Sequence, residues 1–139
     1  MPDEPMPPRL PRCVFVYGTL RRGGSNDITR LQPAPRFVGL AQVAGRLYHL
    51  GAYPGMVLGG SEWVQGEVYT IEPALEATLD AIEGIGGGSD DEYMRQEVVV
   101  PVAGQPMTCL VYEINPRCVA AAPVIAQGDW FMAVDRRVD

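Results

Sequence analysis

The chain has 139 residues, of which 47% are apolar and 20% are charged, and its net charge is −6. This length and composition are those of one globular domain. All eleven basic residues are arginine, which excludes a lysine Schiff base, and the acidic balance argues against nucleic-acid binding. No segment approaches the ~18 apolar residues of a membrane helix. Because His49 is the single histidine, multi-histidine metal sites are also excluded.

The N-terminal segment and the cysteines indicate where the protein works. Residues 1–12 hold five prolines and lack the charged-then-apolar layout of a secretory signal. We therefore predict a disordered, proline-rich tail over residues 1–12 and one domain over residues 13–139, in the cytoplasm. Three cysteines without a closely spaced pair favour reduced, mostly buried thiols over a disulfide framework.

Strand patterns recur along most of the chain. Residues 14–17 form a short apolar run that ends at Gly18, which predicts a buried first strand. Further strands are predicted at residues 37–50, with a hairpin broken at Gly45 as the alternative, at residues 63–71, and at residues 97–102 and 108–114, which flank a hairpin turn. Residues 123–139 are expected to form loops, with room for one edge strand.

One helix is clearly indicated. Pro73 suits a first helical turn, and Leu75, Leu79 and Ile82 follow at helical spacing on one face. Gly84 stands where a left-handed C-terminal cap is expected. Many strands with one clear helix predict a mixed α/β (α+β) domain whose sheet curls toward a barrel.

Several familiar catalytic motifs are absent from the sequence. It contains no nucleophile elbow, phosphate-binding loop, dinucleotide fingerprint or His-Glu-x-x-His pair. A histidine-assisted nucleophile would have to use His49, for which a structural role near a strand end is favoured. The acidic run Asp90-Asp91-Glu92 follows a glycine-rich stretch, so a solvated loop is favoured over a metal site. We predict neither a metal nor a cofactor.

Two local features could carry chemistry. Glu83 lies in the last turn of the predicted helix, about 70° from the centre of its apolar stripe. The negative end of the helix dipole and partial burial both disfavour its charge, which predicts a raised pKa. The turn Tyr17-Gly18-Thr19-Leu20 offers backbone N–H groups to an anion. Taken alone, a solvated glutamate and an ordinary strand-ending turn are the simpler interpretations.

The order of six short motifs is more informative than any one of them. They are Val16-Tyr17-Gly18-Thr19-Leu20-Arg21, Tyr53-Pro54, Gly66-Glu67-Val68-Tyr69, Leu79-Asp80-Ala81-Ile82-Glu83-Gly84, Tyr93-Met94-Arg95 and Gly128-Asp129-Trp130, with Asn26 after the first. This series resembles the gamma-glutamylcyclotransferase-like family, with the last motif similar to that of bacterial members and the whole close to the gamma-glutamylamine cyclotransferase type. The resemblance spans residues 13–130.

The resemblance implies a small closed or nearly closed β-barrel with a few peripheral helices and an activity that needs no cofactor. Glu83 takes the position of the family's catalytic acid/base. The residues in substrate-binding positions are Tyr17, Gly18, Thr19, Leu20, Asn26, Tyr53, Tyr93 and Arg95. One departure is the segment of nine residues between Glu83 and Tyr93, which is longer than usual and rich in glycine and acid.

The implied reaction releases 5-oxoproline from a small gamma-glutamyl compound by intramolecular aminolysis. Glutathione, gamma-glutamyl amino acids and gamma-glutamylamines all remain open as substrates. The alternative is a non-catalytic module that binds a small metabolite on the same fold. Glu83 favours the enzyme, because a binder of an anionic ligand gains nothing from a buried carboxylate. We expect no nucleic-acid or membrane partner and leave the oligomeric state open, with the monomer favoured.

Overall fold

The structure, a computed structural model, describes residues 12–86, 88 and 90–134. The predicted tail lies outside the described residues except for Arg12, which begins the first strand. The elements in chain order are β1 (Arg12–Val16), β2 (Arg36–His49), β3 (Pro54–Ile71), α1 (Pro73–Ile82), β4 (Tyr93–Val102), β5 (Gln105–Ile114) and α2 (Trp130–Val134), with 3-10 turns at Ile28–Arg30 and Pro116–Val119. Neither described helix is long and apolar enough to cross a lipid bilayer.

The strands form one five-stranded sheet in the order β2-β3-β1-β5-β4. β1 runs parallel to β5 and antiparallel to β3, and the β2–β3 and β4–β5 pairs are antiparallel hairpins. The edge strands β2 and β4 approach each other, since a Cβ built on Gly39 would lie 2.8 Å from Val102 Cγ1. They are not hydrogen-bonded neighbours. The mixed α/β prediction is confirmed, with a sheet that curls toward a barrel without closing.

The first strand is buried on both faces, which explains its continuous apolar run. Val14 and Val16 pack into a core that includes helix α1. Phe15 and Tyr17 point into a second core, inside the curl of the sheet. Because β1 is the central strand between these cores, its C-terminal end is fixed firmly.

Helix α1 begins and ends where its sequence indicates. Leu75 and Leu79 are fully buried, and Gly84 adopts a φ of +69° just after the helix. A left-handed residue at this position favours glycine, because a side chain there is strained. The helix therefore stops at a defined residue and leaves Glu83 as its C-cap.

One residue of the predicted apolar face of α1 is exposed, and a glutamate that was not assigned to this face is buried. Ile82 is 38% exposed, whereas Glu76 is only 4% exposed. Glu76 is held there by ion pairs to Arg95 and Arg12. Helical periodicity cannot reveal such partners, because they come from strands distant in sequence.

The other segments agree with their predictions only in part. β2 is one continuous strand, which confirms the first interpretation of residues 37–50, with register shifts at Phe37/Gly39 and Ala44/Gly45. β3 begins at Pro54 instead of residue 63. In place of the edge strand considered for residues 123–139, the described part of that segment forms a single bridge, between Val124 and Tyr48. Residues 130–134 form α2 and not a loop, because Trp130 is buried and Asp129 Oδ1 accepts the Phe131 amide at 3.0 Å.

Candidate active site

A cavity of about 370 Å³ lies at the C-terminal end of β1. β5 is parallel to β1 and ends at the same side, whereas the antiparallel strands β3 and β4 begin there. The residues that line the cavity are Phe15, Val16, Tyr17, Gly18, Thr19, Leu20, Ser25, Asn26, Ala52, Tyr53, Pro54, Ile82, Glu83, Gly84, Glu92, Tyr93 and Tyr112. The topology therefore brings together segments that are far apart in sequence.

Glu83 is the carboxylate placed at this cavity by helix α1. Its backbone N–H donates to the Leu79 carbonyl at 2.9 Å, which fixes the residue at the helix end. The side chain is half-buried, and no hydrogen bond joins its carboxyl group to a residue that the structure describes. Burial, and then the negative charge of Glu92, raise the pKa of Glu83 from 4.5 to about 7. The carboxyl group can therefore both accept and donate a proton near neutral pH.

Glu92 is the second carboxylate of the cavity, and it was not among the predicted site residues. Tyr53 Oη donates a hydrogen bond to Glu92 Oε2 at 2.5 Å. This bond is the main reason that the pKa of Tyr53 rises to about 12, so the hydroxyl stays protonated. Glu92 immediately precedes Tyr93, and its adjacency to that predicted site residue was the available signal.

The turn after β1 provides hydrogen-bond donors at the cavity. Gly18, Thr19 and Leu20 line it, and none of their amides is hydrogen-bonded to a described residue. Asn26 fixes the turn, because its amide donates to the Thr19 carbonyl at 2.9 Å and its Nδ2 donates to Thr19 Oγ1 at 3.2 Å. Asn26 also lines the cavity. Three free N–H groups in succession can bind a carboxylate or an oxyanion.

Replacing Gly18 with alanine is expected to displace this turn. The added Cβ would lie 2.6 Å from Pro54 Cγ, which is closer than real Cβ contacts allow. We expect kcat/KM to fall between ~10-fold and ~100-fold, since a shift of about 1 Å in a positioning group has effects of that size. Steady-state kinetics of Gly18→Ala measures the loss. Removing the ring as well, in Gly18→Ala/Pro54→Ala, should restore most of it, and a single variant with wild-type kinetics would contradict the argument.

Tyr17 and Tyr93 shape the cavity with hydroxyls that are already engaged. Tyr17 Oη donates to the Tyr112 carbonyl at 2.6 Å and accepts from the Met56 amide at 3.2 Å. Tyr93 Oη donates to the Pro54 carbonyl at 2.7 Å. Burial raises the pKa of both phenols far above neutral. These tyrosines therefore hold the start of β3 in place and contribute ring surface, not exchangeable protons.

Two residues considered in the sequence lie away from the cavity. Arg95, expected to bind substrate, is not among the lining residues; it bonds Asp80 Oδ2 at 2.5 Å and pairs with Glu76. In the structure it joins helix α1 to β4, and its role in substrate binding stays a prediction. His49 Nδ1 accepts the Gly51 amide, and its ring packs against a tryptophan at 5.0 Å between centroids. The structural interpretation of His49 agrees with this environment.

The acidic loop and the cysteines do not form a metal site among the described residues. No group of three or more histidine, cysteine or acidic side chains converges there. Asp90 instead pairs with Arg117 at 3.2 Å. Of the free cysteines, Cys109 is buried, Cys13 is partly buried and Cys118 is exposed, so the prediction of mostly buried thiols holds for the first two.

A buried ionic cluster beneath the turn was also missed by the sequence analysis. Arg21 Nε bonds Glu67 Oε2 at 3.1 Å, and Arg21 Nη1 bonds Asp129 Oδ1 at 3.0 Å. Glu67 Oε1 accepts the Arg22 amide at 2.9 Å. The cluster connects the turn to β3 and to the start of α2. Glu67 thereby has a structural role outside the cavity.

Comparison with known proteins identifies the family of this chain. The family model described as gamma-glutamyl cyclotransferase, AIG2-like, matches residues 14–132. The gamma-glutamylcyclotransferase family protein YtfP of Escherichia coli K12 is 39% identical over 120 residues, which cover 84% of this chain and 94% of that protein. The solution structure of ytfP from Escherichia coli superposes with a TM-score of 0.59 at 34% identity, and covers 89% of this chain and 97% of that one.

A mammalian relative is more distant. The gamma-glutamylaminecyclotransferase of Bos taurus is 32% identical over 113 residues, which cover 71% of this chain and 63% of that protein. The family match extends across every segment that forms the cavity, from the turn after β1 to the end of β5. The chain therefore belongs to the gamma-glutamyl cyclotransferase, AIG2-like family and is an enzyme of the gamma-glutamylcyclotransferase type.

Proposed function

We propose that this enzyme cyclises the gamma-glutamyl group of a small molecule to 5-oxoproline and releases an amine, with Glu83 as general acid and base. The observation that carries the proposal is a half-buried carboxyl group that lines a cavity of about 370 Å³ and has a pKa raised to about 7. A cavity of this size suits a small-molecule substrate. The family assignment supports the same class of reaction.

In this reaction Glu83 moves one proton from the attacking nitrogen to the leaving nitrogen. The substrate's α-amine attacks its own γ-carbonyl carbon, which forms the new C–N bond of the ring. Ionised Glu83 accepts a proton from the attacking nitrogen, and protonated Glu83 then donates it to the leaving nitrogen as the original C–N bond breaks. A carboxyl group with a pKa near the working pH performs both transfers well.

The turn after β1 supplies the electrostatic part of this proposal. Its free amides at Gly18, Thr19 and Leu20 would bind the substrate's α-carboxylate or the oxyanion of the tetrahedral intermediate. Holding the substrate folded, with the α-amine near the γ-carbonyl, lowers the entropic part of the barrier. The packing of Gly18 against Pro54 keeps these donors in place before the substrate binds.

A direct assay tests the proposed reaction. Purified protein is incubated with glutathione, gamma-glutamyl amino acids and gamma-glutamylamines, and 5-oxoproline is measured, with Glu83→Gln as the matched control. Release by the wild-type protein and not by the variant is expected. Binding of a gamma-glutamyl compound without any 5-oxoproline would instead favour the non-catalytic module.

The pH dependence provides a second prediction. We expect kcat/KM to rise with pH around a midpoint of about 7, because Glu83 must be ionised to accept the first proton. Glu92→Gln should move this midpoint to lower pH, since it removes a negative charge that raises the pKa of Glu83. The control is Glu97→Gln, an exposed residue paired with Arg12. An unmoved midpoint in Glu92→Gln, or an equal shift in Glu97→Gln, would contradict the prediction.

We also infer that the reaction takes place in the cytoplasm. The support is that Cys13 and Cys109 are free although they lie opposite each other on β1 and β5. Unpaired thiols are typical of a reducing compartment. Fractionation of cells that produce the protein tests this, and enrichment outside the cytoplasmic fraction would overturn it.

A further inference from the structure

The cavity carries an uncompensated negative charge. Among its described lining residues, the only charged side chains are Glu83 and Glu92, and there is no arginine or histidine. Arg21, Arg95 and Arg117 all form ion pairs with carboxylates that do not line the cavity. A substrate therefore meets two carboxylates and no basic side chain on the described part of the wall.

Glu92 is held in position by both its side chain and its backbone. Tyr53 Oη bonds its Oε2, and the Glu92 carbonyl accepts the Asn115 amide at 2.7 Å. The other carboxylate oxygen, Oε1, has no hydrogen-bond partner among the residues that the structure describes. A fixed carboxylate with one free oxygen is a ready acceptor for an ammonium group.

The turn, Glu83 and Glu92 line the same cavity. The charge of Glu83 also raises the pKa of Tyr17, beside the turn, and that of Tyr53, whose hydroxyl bonds Glu92. If the turn binds the α-carboxylate and Glu83 protonates the leaving nitrogen, Glu92 is the remaining charged residue of the described wall that the substituent on that nitrogen can contact.

We propose that Glu92 makes the enzyme selective for gamma-glutamyl compounds whose leaving amine carries a second, positively charged group, such as an ω-aminoalkyl amide. This inference rests on the proposed cyclisation. The distal ammonium would bind Glu92, as a partly buried charge pair is screened less than an exposed one. A leaving group that ends in a carboxylate, as in glutathione, is disfavoured by repulsion from the same residue.

Three gamma-glutamyl amides of nearly equal size test the charge preference. Their leaving amines are 1,4-diaminobutane, n-pentylamine and 5-aminopentanoate, which end in a cation, a methyl group and an anion. We expect kcat/KM for the cationic amide to exceed that for the neutral one by about tenfold or more, which corresponds to the lower end of the range for one hydrogen bond to a charged group. The anionic amide should be the poorest substrate, and added salt should narrow all differences.

The variant Glu92→Gln assigns the preference to one residue. Its effect on the pKa of Glu83 is common to all three amides and cancels when their kcat/KM values are compared as ratios. We expect the ratio of cationic to neutral amide to fall toward one in Glu92→Gln and to stay unchanged in Glu97→Gln. A ratio that persists in Glu92→Gln would overturn the role of Glu92.

Other outcomes separate this inference from the proposed function. Equal kcat/KM for the three amides would overturn the charge preference and leave the cyclisation standing. Absence of 5-oxoproline from all three would overturn the proposed function. In that case the dissociation constants of the amides for Glu83→Gln, measured by calorimetry, still test the preference, because they need no turnover. Equal dissociation constants for the three amides would overturn the charge preference in this experiment as well.

Discussion

Replacing Glu83 with glutamine is expected to lower kcat by at least ~100-fold, the lower range for the loss of a general acid–base group. Glutamine keeps the size and shape of the side chain and removes only the exchangeable proton. The structure shows no hydrogen bond from this carboxyl group to a described residue, so the substitution breaks no such contact. Steady-state kinetics with 5-oxoproline detection measures the loss.

The same substitution should stabilise the protein at alkaline pH. Folding raises the pKa of Glu83 from 4.5 to about 7, so the stability that the protonated group contributes is fully present below pH 4.5 and is lost as the pH rises through 7. Glutamine does not ionise and avoids this loss. At pH 8 we therefore expect Glu83→Gln to unfold with a free energy about 1–3 kcal/mol higher than wild type, and at pH 4 with a similar one.

Urea denaturation at the two pH values tests this change in stability. Glu72→Gln is the matched control, because Glu72 is an exposed glutamate at the other end of the same helix without a side-chain cap. If a folded Glu83→Gln variant kept a kcat near that of wild type, proton transfer would be assigned to Glu92, the other carboxylate among the described lining residues of the cavity. Glu67 is not the next candidate, since Arg21, Arg22 and Tyr69 engage its oxygens.

The parts of the fold that sequence predicted are those set by local spacing. Leu75 and Leu79 mark the buried face of α1, and Gly84 marks its end, because each depends on neighbours within one or two turns. By the same spacing Glu76 lies at the edge of the buried face, only slightly further from its centre than Glu83. It is buried only because Arg95, on a strand distant in sequence, supplies the opposite charge, and no periodicity contains that information.

In the candidate site, too, only the features set by local sequence could be predicted. The turn at Gly18 and the position of Glu83 follow from short motifs, and the structure places both at one cavity. The raised pKa of Glu83 is confirmed, and its causes are burial, as expected, and then the charge of Glu92, which was not foreseen. The bond from Tyr53 to Glu92 joins residues 39 positions apart. Contacts of this range depend on how the residues just before β3 and β4 come together at the cavity, which local patterns do not specify.

Breaking the ionic cluster under the turn is expected to have the largest effect on stability. Arg21 is 9% exposed, Glu67 is 6% exposed, and the guanidinium also stacks on Phe131 at 4.4 Å from the ring centroid. Arg21→Ala leaves the buried Glu67 carboxylate without its cation. Removing one partner of a buried pair costs about 3–5 kcal/mol, and we expect the free energy of unfolding to fall by this amount in urea denaturation.

Two further variants, Arg21→Lys and Arg46→Ala, show how much of the lost stability comes from the charge of Arg21 and how much from its burial. Arg21→Lys keeps the charge but cannot form the forked contact to both Glu67 and Asp129. We therefore expect a smaller loss of stability together with a raised KM, since the turn ends at Leu20, one residue before Arg21. Arg46→Ala removes the exposed Arg46–Glu62 pair and should cost no more than about 1 kcal/mol. If Arg21→Ala were as mild as Arg46→Ala, the cluster would not be what holds the turn. If Arg21→Lys lost stability with an unchanged KM, the cluster would support the fold without positioning the substrate-binding amides.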